Sequence, residues 1–396
     1  MLVREIILST LILALSPSIL SQPVKPLTNR AKEFGESLKR FDRQPSDTSR
    51  RTNSASDDEV IRIETNFVIN DALVIDRSGS IVVGLQKSDF IVNEDGTPQT
   101  IELFSSGNDV RTPKSIVLIV DNGGTPSVFL RNLRAATHLV QRLSSNDRMA
   151  IASDDIKLLC DFTDDKEKLL GTLRLLARKP GASRHEYSTL MAVLNELFVG
   201  SELRPIVLIQ GSGDEILSMK PIWPTTLAIC KKGFKDWCER SFSVRDILNS
   251  VERSRATIYG VVPEPRLAGL DLQTQKKKVA TILDGFSDEI HNRRNAKEKT
   301  KFRSTWEELT IRETVATQQS MMDITRLSGG FTTFLESAEN VDSLYQSLFA
   351  TIENRYTLGY QSDRLGTGVR SIGIAVKGHP EYSVVGRRSY TPYSAK

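Results

Sequence analysis

Apolar residues recur along this chain in two rhythms, and the change from one to the other marks its organisation. From Val60 to Ser106 short alternating or β-branched runs (VIRIETNFVINDALVID, SIVVGL, DFIVNED, QTIELFSS) are separated by RSG and EDGTP, which carry turn chemistry. They predict three to four antiparallel strands. After Pro113 the pattern becomes strand alternating with helix. SIVLIVD, RMAIAS, IKLLCDF, PIVLIQ, ATIYGVV and FTTFLE read as strands. PSVFLRNLRAATHLVQRL, DDKEKLLGTLRLLAR, STLMAVLNELF, SVRDILNSVERSR, ETVATQQSMMDITRL and NVDSLYQSLFATIENRY read as helices, with Pro126 at a first-turn position and SGG at a C-terminal stop. The tail returns to strands at YTLGYQS, VRSIGIAVK and YSVVGRRSY.

Continuous apolar strands between amphipathic helices predict an α/β fold, a mainly parallel central sheet with helices on both faces. The leading and trailing strands are expected to pair into a small antiparallel β-sandwich, because neither set buries its apolar face alone. The expected divisions are 59–110 and 355–393 for the sandwich and 113–354 for the α/β unit, the latter with a basic insertion at 263–310. That insertion holds Lys276–Lys278 and Arg293–Lys301, read either as a solvated helix face or as a site for an acidic partner or an anionic surface.

The N-terminus changes the picture of where the chain works. Arg4 precedes an apolar run from Ile6 to Leu15, and SPS and Ser21 follow, the plan of a signal peptide over 1–21. Export to periplasm, cell surface or medium is expected, with no transmembrane span once the signal is removed. Residues 22–58 are polar and charged and are expected to form a disordered linker. The chain has three cysteines; Cys230 and Cys238 bracket a short loop and are either a disulfide of an exported protein or two thiols, leaving Cys160 over. With 39% hydrophobic and 26% charged residues a soluble core is expected, and a net charge of +4 gives no reason to expect nucleic acid as partner.

In an open parallel sheet, ligands meet the carboxyl ends of the strands. Two loops have that address, DNGGT after Val120 and GSGDE after Gln210. A buried strand ending in Asp and followed by a hydroxyl is a place to hold a hard cation. No zinc spacing of His and Cys, no phosphate-binding loop and no dinucleotide fingerprint occurs. GSG at 211–213 is not a nucleophile elbow, since Gly213 and Asp214 follow Ser212. His138 sits mid-helix, and the Asp154–Asp155 and Asp164–Asp165 pairs read as element starts, with helix capping accounting for the second.

SIVLIVDNGGT, DRMAIASDDIKLLCDF, STLMAVL, IVLIQGSGDE, SGGFTTF and RYTLGY come in the order of bacterial secreted proteins with a von Willebrand factor type A–related domain. VGLQKSDFIVNEDGTPQTIELF resembles the region preceding that domain, so the resemblance spans roughly 60–392. It implies a Rossmann-like domain with a metal-ion-dependent adhesion site of D-x-S-x-S, a Thr and an Asp. Matched residue by residue, Asp121, Thr125 and Thr189 remain, Gly123 replaces a Ser, and Ser212 stands where the third-loop Asp belongs, with Asp214 nearby. A degenerate site is therefore expected, with no cofactor or at most weakly held Mg²⁺. The resemblance implies a non-enzymatic interaction module for a protein partner, its face at Asn122, Gly123, Gly124, His185 and Ser212. A Mg²⁺-dependent adhesion module and a hydrolase using Ser212 are the alternatives.

Overall fold

The computed structural model describes residues 27–40, 67–106, 113–122, 126–177, 185–198, 204–218, 242–285, 296–336, 341–364, 366 and 368–392. The signal peptide, Gly123, Gly124, Thr125, Cys230, Cys238 and Arg293 lie outside the described residues.

A six-stranded sheet forms the centre. Its strands are β5 (Lys114–Val120), β6 (Arg148–Ser153), β7 (Lys157–Thr163), β8 (Arg204–Gln210), β9 (Thr257–Val262) and β10 (Thr332–Phe334), in the order β10-β9-β8-β5-β6-β7. All neighbours pair in parallel except β6 and β7, which are antiparallel. Ile116, Leu118 and Val120 of β5 pack against α2 (Pro126–Arg142), α3 (Lys166–Leu176) and α8 (Val341–Glu353). Val117 and Ile119 face α4 (Glu186–Glu196), α5 (Val244–Arg253) and α7 (Ala296–Leu327). A strand covered on both faces has no polar side to show, so SIVLIV and IVLI read as unbroken apolar runs. Asp165 caps α3 through Lys168 N, as the acidic pair at its start predicts.

Two four-stranded antiparallel sheets make the sandwich. One runs β13-β1-β11-β4, from β1 (Phe67–Ile75), β4 (Ile101–Ser105), β11 (Tyr356–Gln361) and β13 (Ser383–Val385). The other runs β14-β12-β2-β3, from β2 (Phe90–Glu94), β3 (Thr97–Gln99), β12 (Arg370–Val376) and β14 (Ser389–Tyr390). Val68, Ala72 and Val74 of the first sheet share one core with Phe90, Val92 and Ile372 of the second. Flanking strands from both ends of the chain thus complete each other. SIVVGL departs from expectation: it contributes only an isolated bridge between Ile75 and Ile81. The sandwich meets the central sheet at its amino edge. Arg204, the first residue of β8, pairs with Asp71 at 3.3 Å, and Arg355 donates to Asp71 O and Gly329 O.

Two further departures concern polar segments. Part of the basic stretch 263–310 is helical: α6 spans Leu272–Gly285, and α7 begins at Ala296, well before ETVATQQ. Among the described residues no helix is long and apolar enough to cross a membrane. Residues 27–40, expected to be linker, instead form a strap of α1 (Leu27–Glu33) and a 3-10 turn. Phe34 and Leu38 pack on the core beside α4, and Arg30 donates to Glu196 O and Leu197 O at the end of that helix. The Glu196 carboxylate accepts from Gly35 N at 2.9 Å and Ser37 N at 2.8 Å. Two charge-assisted bonds at a half-buried site predict that Glu196→Ala lowers stability by about 1 kcal/mol and frees the strap. Hydrogen exchange at Gly35 and Ser37 reads this; unchanged protection there would contradict the docking.

Candidate functional site

The carboxyl edge of the sheet is stitched by main-chain bonds across strand ends. Asp121 N donates to Gln210 O, Asp154 N to Val120 O and Gly211 N to Val261 O, at 2.9–3.2 Å. The arrangement brings Asp121 and Asn122 after β5, Asp154 after β6, Glu186 at the start of α4, and Ser212, Asp214 and Glu215 after β8 to one rim. Asp154 therefore sits at a strand end and not a strand start, as its position in the sequence first suggests.

Asp154 is fully buried. Its Oδ1 accepts from Asn122 N at 3.1 Å, while Oδ2 has no hydrogen-bond partner among the described residues. Burial, and then the neighbouring Asp121 charge, push its carboxyl up to about 8. Glu186 is also buried, and burial together with Asp121, Asp214, Glu215 and Asp154 holds its carboxyl well above the ordinary range. A Cβ added to Gly211 would lie 3.2 Å from Glu186 Oε1 and 3.5 Å from Asp121 Cβ, so Gly211 sits between the two side chains. At neutral pH part of this crowding is relieved by protons.

Glu215 has a different task. Its Oε2 accepts from Tyr187 N at 2.7 Å and Ser188 N at 2.8 Å, and Oε1 accepts from the Ser188 hydroxyl. A buried carboxylate thus caps the N-terminus of α4, where the orphan amides and the helix dipole favour negative charge. His185 occupies the N-cap position but makes no side-chain cap; its Nδ1 stands 3.7 Å from Glu215 Oε1. Glu215→Gln is expected to destabilise the chain by about 2 kcal/mol, since a neutral amide replaces a charged acceptor facing these donors. A urea midpoint unchanged from wild type would refute the capping role.

Of the residues matched to the metal-site pattern, Asp121 and Asp214 lie on the rim, and Thr125 lies outside the described residues. Thr189 lies inside α4, fully buried, with its hydroxyl donating to Ser153 O and accepting from Ile156 N, both at 3.2 Å. It braces the β6–β7 turn, where Ile156 holds a φ of +59° that is strained for a β-branched residue. Among the described residues no group of three or more His, Cys, Asp or Glu is placed to hold a metal ion. Asn122 and Ser212 of the expected face are buried, whereas Asp214 and His185 are half-exposed and Leu130, early in α2, is exposed. A D-x-S-x-S spacing does occur at 76–80, but in a sandwich turn. There Asp76 Oδ1 accepts from Ser78 N, the Ser78 hydroxyl and Ser80 N, and these bonds hold its carboxyl below the ordinary value. Glu186 and Asp154 are the rim residues that sequence reasoning missed. Their signal, an acid opening a helix and an acid closing a strand, is shared by many caps and turns. Cys160 is a buried thiol on β7, and His138 joins α2 to α8 through Asp342 at 3.0 Å.

No family model matches the chain, and no curated protein sequence matches it. Solved structures do. The chain is similar to the vWF domain of the type V pili tip protein Mfa5 from Porphyromonas gingivalis, at 12% identity over 64% of this chain and 98% of that one, with a TM-score of 0.33. It spans 27% of a longer three-domain piece of that tip protein. It is similar to the conserved hypothetical protein BatB from Bacteroides thetaiotaomicron, at 10% identity over 61% of this chain and 98% of that one, TM-score 0.33. It is also similar to the PilB minor pilin from Streptococcus sanguinis, at 8% identity over 61% of this chain and 62% of that one, TM-score 0.36. At these values the likeness bears on neither partner nor chemistry.

Proposed function

We propose that the chain is an exported, non-enzymatic protein–protein interaction module related to the von Willebrand factor type A domain, binding its partner at the carboxyl rim without a metal. The observation carrying this reading is what replaces the ligands. The Thr189 hydroxyl bonds Ser153 O and Ile156 N, and the buried Glu186 carboxyl lies against Gly211. A hard cation needs several oxygens directed at one point. The rim has the oxygens, but burial disfavours their charged form and protonation relieves their repulsion. The sandwich supports the same reading, since it sits at the opposite edge and leaves the rim to a partner.

Two measurements test the proposal. Titration calorimetry with Mg²⁺ or Mn²⁺ is expected to show no binding below millimolar concentration; micromolar binding abolished by Asp121→Ala would establish the metal-dependent alternative. Capture of a partner from the native host with the chain immobilised, followed by Asp214→Lys and Leu130→Arg, tests the face. Binding by both variants as strong as by wild type would place the interface elsewhere. Cleavage of ester or peptide substrates that disappears in Ser212→Ala would replace the proposal with the hydrolase reading.

A further inference from the structure

The strap of residues 27–40 lies against β7, the last strand of the central sheet, and against the end of α4. Arg30 reaches Asp161 of β7 at 3.5 Å and donates to the two carbonyls that close α4. Phe34 and Leu38 join the apolar cluster of Phe162, Leu194 and Leu197. Between them Gly35 turns the chain with a φ of +94°, and its amide is held by the Glu196 carboxylate. A Cβ on Gly35 would lie 2.9 Å from Ile156 Cγ2, so the strap backbone packs against that side chain. Ile156 sits in the β6–β7 turn, in the left-handed region that a β-branched residue keeps only when its surroundings hold it. Two holds are present. Its N–H donates to the Thr189 hydroxyl, which is itself bonded to Ser153 O, and its side chain has the strap on one side. The same turn carries Asp154, which bonds Val120 O through its own N–H and accepts from Asn122 N. Asp154 is fully buried, and burial and the Asp121 charge make its ionised form costly there. Strain at Ile156 and burial of Asp154 both press the turn to open. The described strap side chains are half-buried or exposed, which places the strap among the least stable parts of the fold.

We propose that the strap is a regulatory clamp on the rim: docked, it keeps the β6–β7 turn closed with Asp154 inside, and released, it lets Ile156 leave the left-handed region and Asp154 turn outward. The regulatory part of this rests on the rim being the partner-binding face. Strap docking and partner binding then bias one two-state element, the β6–β7 turn, and each shifts the other by the same factor. A partner that draws residues 27–40 away from α4 would thereby change the rim without touching it.

Hydrogen exchange on the full chain, with no partner present, tests the clamp. Glu196→Ala removes the acceptor for Gly35 N and Ser37 N. The double variant Arg30→Ala, Phe34→Ser weakens the same docking from the strap side and leaves the body of the chain as it is. Both are expected to speed exchange at Gly35 and Ser37, and also at Asn122, Asp154 and Ile156, by about tenfold or more. Val117–Ile119 of β5 should stay as slow as in wild type. The coupling is reciprocal, so Thr189→Val, which removes the acceptor for Ile156 N, should speed exchange at Gly35 and Ser37. Freed strap amides with Asn122, Asp154 and Ile156 exchanging as in wild type would overturn the proposal and leave the strap a cover for the sheet edge. Wild-type strap exchange in Thr189→Val would overturn it as well, and unchanged protection at Gly35 and Ser37 in both strap variants would remove the docking it depends on. If Glu196→Ala also loosens β5, the double variant decides. Because no partner enters the measurement, failure of the clamp leaves the rim reading standing, and a rim that binds no partner leaves the clamp measurable.

Discussion

Asp154→Asn is expected to flatten the dependence of stability on pH between about 4 and 8, and to leave the variant more stable than wild type at pH 8 by at least about 2 kcal/mol. Below about 4 the Asp154 carboxyl is protonated in folded and unfolded chains alike, and it carries no penalty. Its folded value is raised to about 8, by burial first and by Asp121 second. Through that window the folded chain keeps a proton that the unfolded chain releases. Stability therefore falls as pH rises, by at most about 1.4 kcal/mol per pH unit for one group. Above pH 8 the charge is forced on the folded state and the penalty is complete. Asparagine preserves the acceptor for Asn122 N and cannot ionise. Glu186 shifts in the same direction, so the variant retains part of the slope. Urea midpoints at pH 5 and pH 8 measure the difference; parallel profiles for the two proteins would mean that Asp154 is ionised in the folded chain.

Gly330→Ala is expected to destabilise the chain by about 3 kcal/mol or more, an overpacking effect at the upper end of its range. A Cβ there would stand 1.9 Å from Ile258 O and 2.8 Å from Ile258 C. Both are backbone atoms of β9, a strand held in parallel pairing on either side, so neither yields without moving the sheet. Beside it, Gly329 has a φ of +85°, and a Cβ on it would lie 2.5 Å from Arg387 N. The two glycines end α7, where Gly330 N returns to Thr325 O, and let the sandwich connection pass over the helix end. Gly373→Ala in β12 serves as control. Its nearest neighbour would be Asn93 Cβ at 3.9 Å, and a surface change of this kind stays within about 0.5 kcal/mol. Similar losses for both variants would show that the close approach at Gly330 is not what limits substitution.

Much of the fold is legible in one dimension. β5 and β8 read as unbroken apolar runs because helices cover both of their faces, and the capping acid before α3 announces that helix. Other features are legible only in part. The strap at 27–40 looks like a linker because its apolar content is small. Its hold comes from Glu196, 161 residues from Gly35, and from the main-chain carbonyls at the end of α4. The rim is legible in part for a different reason. A threonine at the right place in the sequence order suggests a metal ligand, while the backbone groups its hydroxyl meets, Ser153 O and Ile156 N, come from a turn more than thirty residues away. The D-x-S-x-S spacing at 76–80 makes the same point, since a short side-chain motif is used by whichever amides surround it.

What the sequence determined by itself is the inventory and its order: sandwich strands, alternating strands and helices, sandwich strands again. Periodicity, β-branching and turn chemistry act over a few residues and need no distant partner to be read. Tertiary structure alone decided which charges meet and which are buried. Asp121, Asp154, Glu186 and Glu215 are scattered over nearly a hundred positions and converge on one rim, where desolvation makes Asp154 and Glu186 weaker acids. Asp71 and Arg204 stand more than a hundred residues apart and pair at 3.3 Å. Burial and Coulomb interaction depend on distance and on what excludes water, and both are set by packing between elements remote along the chain.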